Sequence, residues 1–384
     1  MKITIVMGFF LPVPAVGGGA IEKIWFRLAQ EFAVAGHEIT LVSRQWPGFP
    51  TQEVLQGVRM LRLPGFDHTR SLPRNLLLDG RWGLRVARSL PPGDLVICNT
   101  VSLPVYLRLV KPSAGRVAAV FGRMPKGQSR FYGRVDRLLA TSEAVAEKAR
   151  RDSPRLADRV VLFPHPIDWD LHARASAQGA PGEPITLGYV GRIHPEKGLE
   201  LLLEAAVTLA ARPGLRPWRL VLIGPVTVKL GGGGESYRDA LAARYGAALG
   251  DRLVFLPPEF DAGRLAARYG AMDIFCYPSR AETGEGLSIA PIEAMAAAAV
   301  PVVSGLECYR DIVADGRTGF VFDHRAPDPA AALAGILERL IGDDALRRTV
   351  GAAAQERAKF FDYASCSRFL LADFERLVSP TSGG

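Results

Sequence analysis

Residues 272–296 read MDIFCYPSRAETGEGLSIAPIEAMA, and this stretch decides how the second half of the chain folds. Its apolar opening predicts a buried strand, and the residues after Ser288 predict a helix with Ser288 as N-cap and Pro291 in the first turn. Glu285 and Glu293 flank that helix start. The first turn of a helix offers unpaired N–H groups to an anion, and carboxylates accept hydrogen bonds from hydroxyls. The stretch therefore predicts a site for a ligand that carries both phosphate and hydroxyl groups.

A second segment supplies the cations that such a ligand needs. Residues 191–198 read GRIHPEKG and directly follow a predicted strand at 185–190. Arg192 and Lys197 thus lie where a strand ends and the next helix begins, which is where parallel sheets bind ligands. Two cations in a loop are more often solvated than functional, but the acids of the first stretch favour a shared pyrophosphate site. Few reactions use this combination, and sugar transfer from a nucleoside diphosphate is one.

Three glycines at residues 17–19 separate the predicted first strand from an amphipathic helix. Glycine lets the backbone approach a ligand closely and leaves the N–H groups of a helix start accessible. A flexible connection is the alternative interpretation. A dinucleotide-binding fingerprint needs GxGxxG immediately after the strand, and here Gly8 is followed by Phe9, so that pattern is absent.

The whole chain alternates short β-branched runs with longer amphipathic stretches, which is typical of parallel sheets covered by helices on both faces. Strands are predicted at 3–7, 39–43, 58–63, 95–98, 117–121, 138–141 and 160–163, and then at 185–190, 220–223, 253–256, 274–277, 300–303 and 320–322. We predict an α/β fold with two Rossmann-like, doubly wound domains facing a central cleft. The predicted bounds are 1–174 for the first domain, 175–184 for a linker, 185–353 for the second domain and 354–384 for a C-terminal helix that returns to the first domain.

Charge is unevenly distributed along the 384 residues, whose net charge is +8. From Met1 to Arg174 there are 25 Lys and Arg against 14 Asp and Glu, whereas the remainder is slightly acidic. A basic first half suggests an anionic partner such as a membrane surface or a lipid pyrophosphate, with an unspecific arginine-rich surface as an equally weighted alternative. The stretch Arg74–Leu90 is compatible with an interfacial helix, although a half-buried surface helix is commoner. Nucleic acid is a less favoured partner because no recognition motif accompanies the charge.

The cysteines and histidines predict no metal site. Cys98, Cys276, Cys308 and Cys366 are widely spaced and are expected to be buried thiols in a reducing compartment. The six histidines form neither HxxxH nor HExxH, and the DxD at residues 168–170 is interpreted as a turn. The N-terminus predicts a buried strand and not a signal peptide, and no apolar run is long enough to span a membrane. We expect a cytoplasmic protein, with peripheral contact at the inner membrane face as a further hypothesis.

In this order, these residues resemble the GT-B glycosyltransferases of family 4 over nearly the whole chain. The similarity is sharpest in the glycine-rich loop with Ile21-Glu22, in residues 189–199, in residues 278–296, and in residues 301–304 with 315–320. Two acids at this spacing are a weak signal alone. They become specific together with the arginine–lysine segment about ninety positions upstream.

The resemblance implies retaining, metal-independent transfer of a hexosyl group from a nucleoside-diphosphate sugar held mainly by the second domain, without a cofactor. Arg192 and Lys197 would neutralise the donor phosphates and stabilise the leaving diphosphate. Glu285 would bind sugar hydroxyls near the anomeric centre, and Glu293 would bind the ribose hydroxyls. The remaining donor-binding positions would be Gly18 and Gly19 in the first domain and Gly224, Pro225, Gly286, Leu287, Ser288 and Ile289 in the second.

The chain departs from the family pattern at two places. Many relatives carry a sugar-facing histidine at the end of a first-domain strand, where this sequence has Phe121. The usual glycine-rich turn after Gly224 is replaced by Pro225 and a longer insertion. The sequence therefore does not identify the nucleotide base. The insertion includes the four glycines 231–234, which are predicted to be a mobile loop tip without assigned chemistry.

The expected function is transfer of a hexose to a glycan, a lipid-linked saccharide or a small-molecule acceptor. Two alternatives remain open: a phosphorylase or sugar-phosphate synthase on the same scaffold, and an inactive subunit that binds nucleotide sugars. Acceptor specificity is expected in the first-domain loops at residues 48–56 and 66–75.

Overall fold

The computed structural model describes residues 1–16, 19–69, 71–176, 183–282 and 285–379. These residues form two units. The N-terminal unit comprises Met1–Pro166 together with the C-terminal segment from Tyr363, and the C-terminal unit comprises Ile167–Asp362. Each unit contains one sheet with helices packed against it, and the predicted α/β class is confirmed.

The N-terminal unit has an eight-stranded sheet in the order β3-β4-β2-β1-β5-β6-β7-β8. Its strands are β1 Lys2–Val6, β2 Glu38–Arg44, β3 Gln52–Leu55, β4 Val58–Leu63, β5 Leu95–Cys98, β6 Arg116–Phe121, β7 Arg137–Ala140 and β8 Val160–Leu162. All neighbours are parallel except β3 and β4. The chain order reverses between the neighbouring strands β1 and β5, which is the position where such sheets open a ligand crevice.

Strand β3 was not predicted, because it falls in a segment expected to be a loop. Leu55 pairs with Val58 across the two-residue turn Gln56-Gly57, and both turn residues have positive φ. This is the backbone geometry of a tight β-hairpin. The strand alternates exposed and half-buried residues at the sheet edge, so it lacks the apolar run that identified the other strands.

Among its described residues, the α-helices of the N-terminal unit are α1 Ala20–Val34, α2 Leu72–Ser89, α3 Leu103–Val110, α4 Glu143–Asp152 and α12 Tyr363–Val378. The C-terminal helix α12 packs against α1, where the rings of Phe32 and Phe374 meet edge to face at 6.5 Å. Its Asp373 accepts a hydrogen bond from Arg137 at 3.0 Å. These contacts agree with the expectation that the chain end returns to the first domain.

The C-terminal unit has a six-stranded parallel sheet in the order β11-β10-β9-β12-β13-β14. The strands are β9 Ile185–Val190, β10 Trp218–Ile223, β11 Leu253–Leu256, β12 Ile274–Tyr277, β13 Val300–Ser304 and β14 Phe320–Phe322. The helices are α5 Trp169–Ala175, α6 Leu199–Ala210, α7 Glu235–Leu249, α8 Ala262–Gly270, α9 Ile289–Ala296, α10 Pro329–Gly342 and α11 Asp344–Ala358. Strands β12 and β13 are buried throughout because helices cover both faces of the sheet.

The observed division of the chain differs from the predicted bounds at both ends of the second domain. Helix α5 packs against α8 and α9, so the unit begins at Ile167, ahead of the predicted boundary at Arg174. Helix α11 packs against α9 and β13, so the return to the N-terminal unit begins at Tyr363 and not near Ala354. Most of the predicted linker, residues 177–182, lies outside the described residues.

All four cysteines are buried and free, as expected. The DxD segment starts a helix where a turn was predicted: Asp168 is the N-cap of α5, and its carboxylate accepts a hydrogen bond from the amide of Leu171 at 3.0 Å. None of the helices that the structure describes combines the length and the apolar character needed to cross a membrane.

Candidate functional site

Strands β9 and β12 are neighbours at the centre of the C-terminal sheet, and the chain order reverses between them. Ligands bind beyond the carboxyl ends of the strands at such a reversal. Arg192 and Lys197 follow β9, and Ser279 and Glu285 follow β12. The topology therefore brings the two sequence motifs, about ninety residues apart, to one edge of one sheet.

Lys197 and Glu285 form a buried ion pair at this edge, with Nζ 2.6 Å from Oε2. Their side chains are 7% and 10% exposed, so neither charge is freely hydrated. Ser279 donates a second hydrogen bond to the same Oε2 at 3.0 Å. The hydrogen bonds that Lys197 and Ser279 donate, among the described residues, both end on Oε2 of Glu285. Oε1 is therefore the carboxylate oxygen that can accept a hydrogen bond from a ligand hydroxyl.

Lys197 keeps its positive charge despite this burial. Desolvation acts to lower the pKa of Lys197, but the oxygens of Tyr277 and Glu285 outweigh it, and the net effect raises that pKa. The ammonium lies 5.4 Å from the centre of the Tyr277 ring, a cation–π distance. The site thus presents an ammonium of fixed position, paired with Glu285, where water is largely excluded.

Arg192 is held from two sides. Its guanidinium donates to the carboxylate of Glu196 and, at 2.9 Å, to the carbonyl oxygen of Gly231. Burial acts to raise the pKa of Glu196, but Arg192 and its other cationic neighbours lower it overall, so Glu196 stays ionised. The Arg192 side chain is 38% exposed, which leaves it accessible to a ligand while these bonds fix its direction.

The loop after β10 runs alongside the Arg192 segment. The amide of Ile193 donates to the carbonyl of Pro225 at 3.0 Å, and the amide of Gly233 donates to the carbonyl of Ile193 at 2.8 Å. Gly224 has φ 155°, and a Cβ there would lie 1.8 Å from the carbonyl oxygen of Gly191, so only glycine fits. Residues 231–234 thus form a hydrogen-bonded wall beside Arg192, in contrast to the loop tip that was predicted.

Helix α9 presents its first turn to the same edge. Ser288 is the N-cap, as predicted, but its hydroxyl donates to the Tyr277 hydroxyl oxygen at 2.8 Å and does not cap the helix. The Ser288 side chain therefore leaves the N-terminal amides of α9 unengaged. Gly286 and Leu287 are buried, and Ile289 is the first helical residue.

The Glu293 carboxylate of α9 is held by a tyrosine and lies near a histidine. Its Oε2 accepts a hydrogen bond from the Tyr269 hydroxyl at 2.8 Å, and His172 Nε2 lies 4.0 Å from its Oε1. Tyr269 is fully buried, and burial together with Glu293 raises its pKa well above the ordinary value, so it remains a donor. The carboxylate is 14% exposed and has a fixed orientation.

The N-terminal unit holds the two other positions of interest. Gly19 is the N-cap of α1 with φ 99°, and a Cβ there would lie 2.8 Å from Glu22 Oε2. Gly18 lies outside the described residues. Phe121, the position at which the resemblance leads one to expect a histidine, is 3% exposed and stacks on Tyr132 at 5.7 Å, so it is a core residue of this unit.

Sequence reasoning assigned no role to the residues that orient the charged groups. Four such residues each contact a charged side chain through one hydrogen bond or ring contact: Ser279, Tyr277, Tyr269 and Gly231. The signals for Ser279 were its position after a predicted strand and its place in residues 278–296, where the resemblance is sharpest. Tyr269 had none, because its distance from Glu293 depends on how α8 packs against α9. Within the described part of the chain no cluster of His, Cys, Asp or Glu is suited to a metal ion, and metal-independent transfer stays a prediction.

Two family models match this chain in succession. Residues 17–171 match glycosyltransferase family 4, and residues 173–357 match the glycosyl transferases of group 1. The phosphatidyl-myo-inositol mannosyltransferase of Mycolicibacterium smegmatis is 28% identical over 399 aligned positions, covering 98% of this chain and 94% of that protein.

Solved structures show the same fold. Sucrose-phosphate synthase from Thermosynechococcus elongatus superimposes with a TM-score of 0.77 at 22% identity, covering 98% of both chains. The Anabaena protein Alr3699/HepE in complex with UDP gives a TM-score of 0.72 at 18% identity, covering 98% of this chain and all of that one. The strand order, the motifs and these matches agree, and the chain belongs to the family 4 glycosyltransferases of GT-B fold.

Proposed function

We propose that this glycosyltransferase transfers a hexosyl group, with retention of configuration, from a nucleoside-diphosphate sugar to a glycan, lipid-linked or small-molecule acceptor. The observation that carries the proposal is the buried Lys197–Glu285 pair at the chain reversal of the C-terminal sheet. One member is a cation for the departing diphosphate, and the other is an acceptor for sugar hydroxyls. The Anabaena neighbour carries UDP, which supports a nucleotide ligand for the same fold.

The catalytic contribution of this site is electrostatic. When the bond between the sugar and the diphosphate breaks, negative charge accumulates on the leaving phosphate oxygens. Lys197, Arg192 and the first amides of α9 all follow β9 or β12 at the carboxyl edge of the sheet and are held in place before the reaction begins, so little reorganisation is needed. Metal-independent transfer requires that these groups supply all of the positive charge that balances the leaving diphosphate.

Glu285 and Glu293 have separate roles in this proposal. Glu285 is fixed by Lys197 and Ser279 and offers its second oxygen to the sugar. Glu293 is fixed by Tyr269 and accepts from the ribose hydroxyls. Leu287 is buried and Ser288 is bonded to Tyr277, so the backbone between the acids is held while it contacts the donor. In this proposal Gly224 and Pro225 border the nucleotide base. A role of Gly18 and Gly19 in donor binding stays a prediction.

The experiment is transfer from a panel of nucleotide sugars, with the anomeric configuration of the product read by NMR. We expect one donor to give a retained product, and Glu285→Ala to reduce the rate about 100-fold or more with the fold intact. The matched control is Glu338→Ala, which removes a half-exposed carboxylate of α10 that pairs with Arg212. An inverted product, or full turnover by Glu285→Ala, contradicts the proposal.

The acceptor class is tested in the same assay. A phosphorylated sugar as the preferred acceptor would support the sugar-phosphate synthase alternative, and free phosphate as the acceptor would support a phosphorylase. The mannosyltransferase relative acts, by its name, on phosphatidyl-myo-inositol, so this lipid is the first acceptor to test.

Peripheral contact with an anionic membrane is part of the same proposal. Helix α2 buries Trp82 and Val86 but exposes Leu72, Leu76, Leu77 and Leu84 beside the exposed Arg74, Arg81 and Arg88. Exposed leucines flanked by arginines suit an interfacial helix. We expect Leu76→Asp with Leu77→Asp to abolish sedimentation with anionic vesicles, whereas Val34→Asp, an exposed position on α1, leaves it intact. Equal sedimentation of both variants contradicts this contact.

A further inference from the structure

A basic cavity lies at the edge of the N-terminal sheet opposite to the carboxyl ends of its strands. It has a volume of about 610 Å³. Arg116 and Arg137 are the first residues of β6 and β7, and Arg159 directly precedes β8. Because these strands are parallel, their amino ends lie at the same edge of the sheet. The length of β6, about 20 Å, separates this edge from the carboxyl edge. The lining residues are Arg108, Arg116, Gly133, Arg134, Asp136, Arg137, Arg159 and Leu377.

Positive charge exceeds negative charge in this cavity. Five arginines and a single acid, Asp136, line it. Asp136 is 10% exposed on its side chain and accepts from Arg108 at 3.0 Å, from Arg116 at 3.1 Å and from the amide of Val117 at 2.9 Å. Its acceptor capacity is largely used by these three donors. Asp136 therefore fixes two guanidinium groups at the rim and cannot neutralise the others.

The remaining arginines are oriented by different partners. Arg137 bonds Asp373 of α12, and Arg159 donates to the carbonyl of Val135 at 2.7 Å. Arg134 is exposed, and no acceptor among the described residues bonds its side chain. A guanidinium has five N–H donors, so Arg108 and Arg116 also retain donors that can reach a ligand. Side chains fixed in this way lose less freedom when an anion binds.

We propose that this cavity binds a multiply charged phosphorylated ligand at a site separate from the donor site. Arginine forks bind phosphate oxygens bidentately, which favours phosphate over a single carboxylate where several forks converge. The cavity volume falls in the range of small-molecule sites and exceeds what one phosphate ion fills. The shared chemistry is a cluster of phosphate groups, supplied either by a soluble polyphosphorylated compound or by phosphorylated lipid headgroups.

The test uses inorganic tripolyphosphate and calorimetry on the full chain. Arg116→Gln with Arg134→Gln is expected to weaken one binding event about tenfold or more. Asp136 keeps its bonds from Arg108 and Val117 in that variant, and Arg134→Gln alone, at an exposed position, covers the case in which the double variant fails to fold. The charge-matched control is Arg59→Gln with Arg348→Gln, two exposed arginines on β4 and α11.

Lys197→Ala separates this site from the donor site, which also binds polyphosphate under the proposed function. We expect the arginine-dependent event to persist in Lys197→Ala. Loss of all tripolyphosphate binding in Lys197→Ala, with unchanged binding in the arginine variants, overturns the proposal. Equal weakening in the arginine variants and in the control also overturns it, because net charge alone would then explain the effect.

Vesicles of phosphatidylcholine and phosphatidylglycerol identify the source of the phosphate. If the arginine variants lose both tripolyphosphate and vesicle binding relative to the control, the ligand is a lipid headgroup. If they lose tripolyphosphate and bind vesicles with the same affinity as the control, the ligand is soluble, because a lost headgroup contact would lower that affinity even with the α2 contact intact. If they lose neither, the cavity is not a phosphate site.

Discussion

The two sheets of this protein gather their charged side chains at opposite edges and in opposite ways. In the C-terminal unit the charges lie at the carboxyl edge, where Lys197 and Glu285 form a buried one-to-one pair. In the N-terminal unit the arginine cavity lies at the amino edge, where several exposed cations surround Asp136. A buried pair fixes direction and keeps its field unscreened, whereas an exposed excess attracts anions with weak geometric selection. The first arrangement suits catalysis, and the second suits binding.

The largest expected effect comes from removing the buried cation. Lys197→Met should lower kcat by about 100-fold to 1,000-fold, because a fixed donor to the departing charge is lost. Arg134→Gln in the arginine cavity should leave kcat unchanged. Steady-state kinetics on both variants, with the same donor and acceptor, measures the contrast.

The structural cost of this substitution must be separated from the catalytic one. Removing one member of a buried ion pair costs about 3–5 kcal/mol because the other charge is left unpaired. Lys197→Met combined with Glu285→Gln removes both charges and should recover much of that stability while remaining inactive. A double variant that regains transfer would show that the pair acts only through folding.

A smaller effect is expected from a substitution in residues 231–234, the hydrogen-bonded wall beside Arg192. Gly231 has φ 82°, and a Cβ there would lie 2.9 Å from Arg192 Cδ, so Gly231→Ala should displace the guanidinium and lower kcat/KM about tenfold. Gly214→Ala is the matched control: Gly214 has φ 76° with no atom within 4 Å of the added Cβ. Both variants carry similar backbone strain, so an equal loss of activity would exclude a role for Arg192 placement.

A still smaller effect should come from the support of Glu293. Tyr269→Phe removes a 2.8 Å hydrogen bond to the carboxylate and should raise the donor KM about threefold to tenfold, equivalent to a bond worth about 1 kcal/mol. Tyr245→Phe removes a comparable bond to Glu204, 3.1 Å long, between α6 and α7. Only the first variant should change the donor KM in initial-rate measurements.

The smallest expected effect is a pH-dependent change in stability that arises in the N-terminal unit. Glu22 is buried in the first turn of α1, and desolvation raises its pKa in the folded protein. Its ionised form therefore costs stability at neutral pH, and this cost disappears as pH falls below the unfolded value of 4.5. Glu22→Gln should stabilise the protein at pH 7 by less than about 1 kcal/mol and have no such benefit near pH 4. Thermal melts at the two pH values measure this, and an equal gain at both would refute the assignment.

Much of the fold was predictable because its strands are apolar runs that alternate with helices. The runs at 185–190 and 274–277 predicted β9 and β12 to the residue. Strand β3 was missed because its pairing depends on a two-residue turn and not on an apolar run. The early start of the C-terminal unit was missed because α5 is assigned by its packing on α8 and α9, which sequence composition does not record.

The charged residues of the site were predictable from the sequence, but the orientation of their side chains was not. Arg192, Lys197 and Glu285 lie in the loops that follow β9 and β12, and the sheet topology brings these loops together. The contacts that orient them come from uncharged residues to which the sequence assigned no role, namely Ser279, Tyr277 and Gly231. The arginine cavity was visible only as an excess of basic residues in the first half of the chain, because its members converge through the order of β6, β7 and β8.

A crystal structure of the protein with its nucleoside diphosphate tests the central claim most directly. We predict the diphosphate within hydrogen-bonding distance of Arg192, Lys197 and the first amides of α9, beyond the carboxyl ends of β9 and β12. A diphosphate bound elsewhere, with the Lys197–Glu285 pair untouched, would contradict the account.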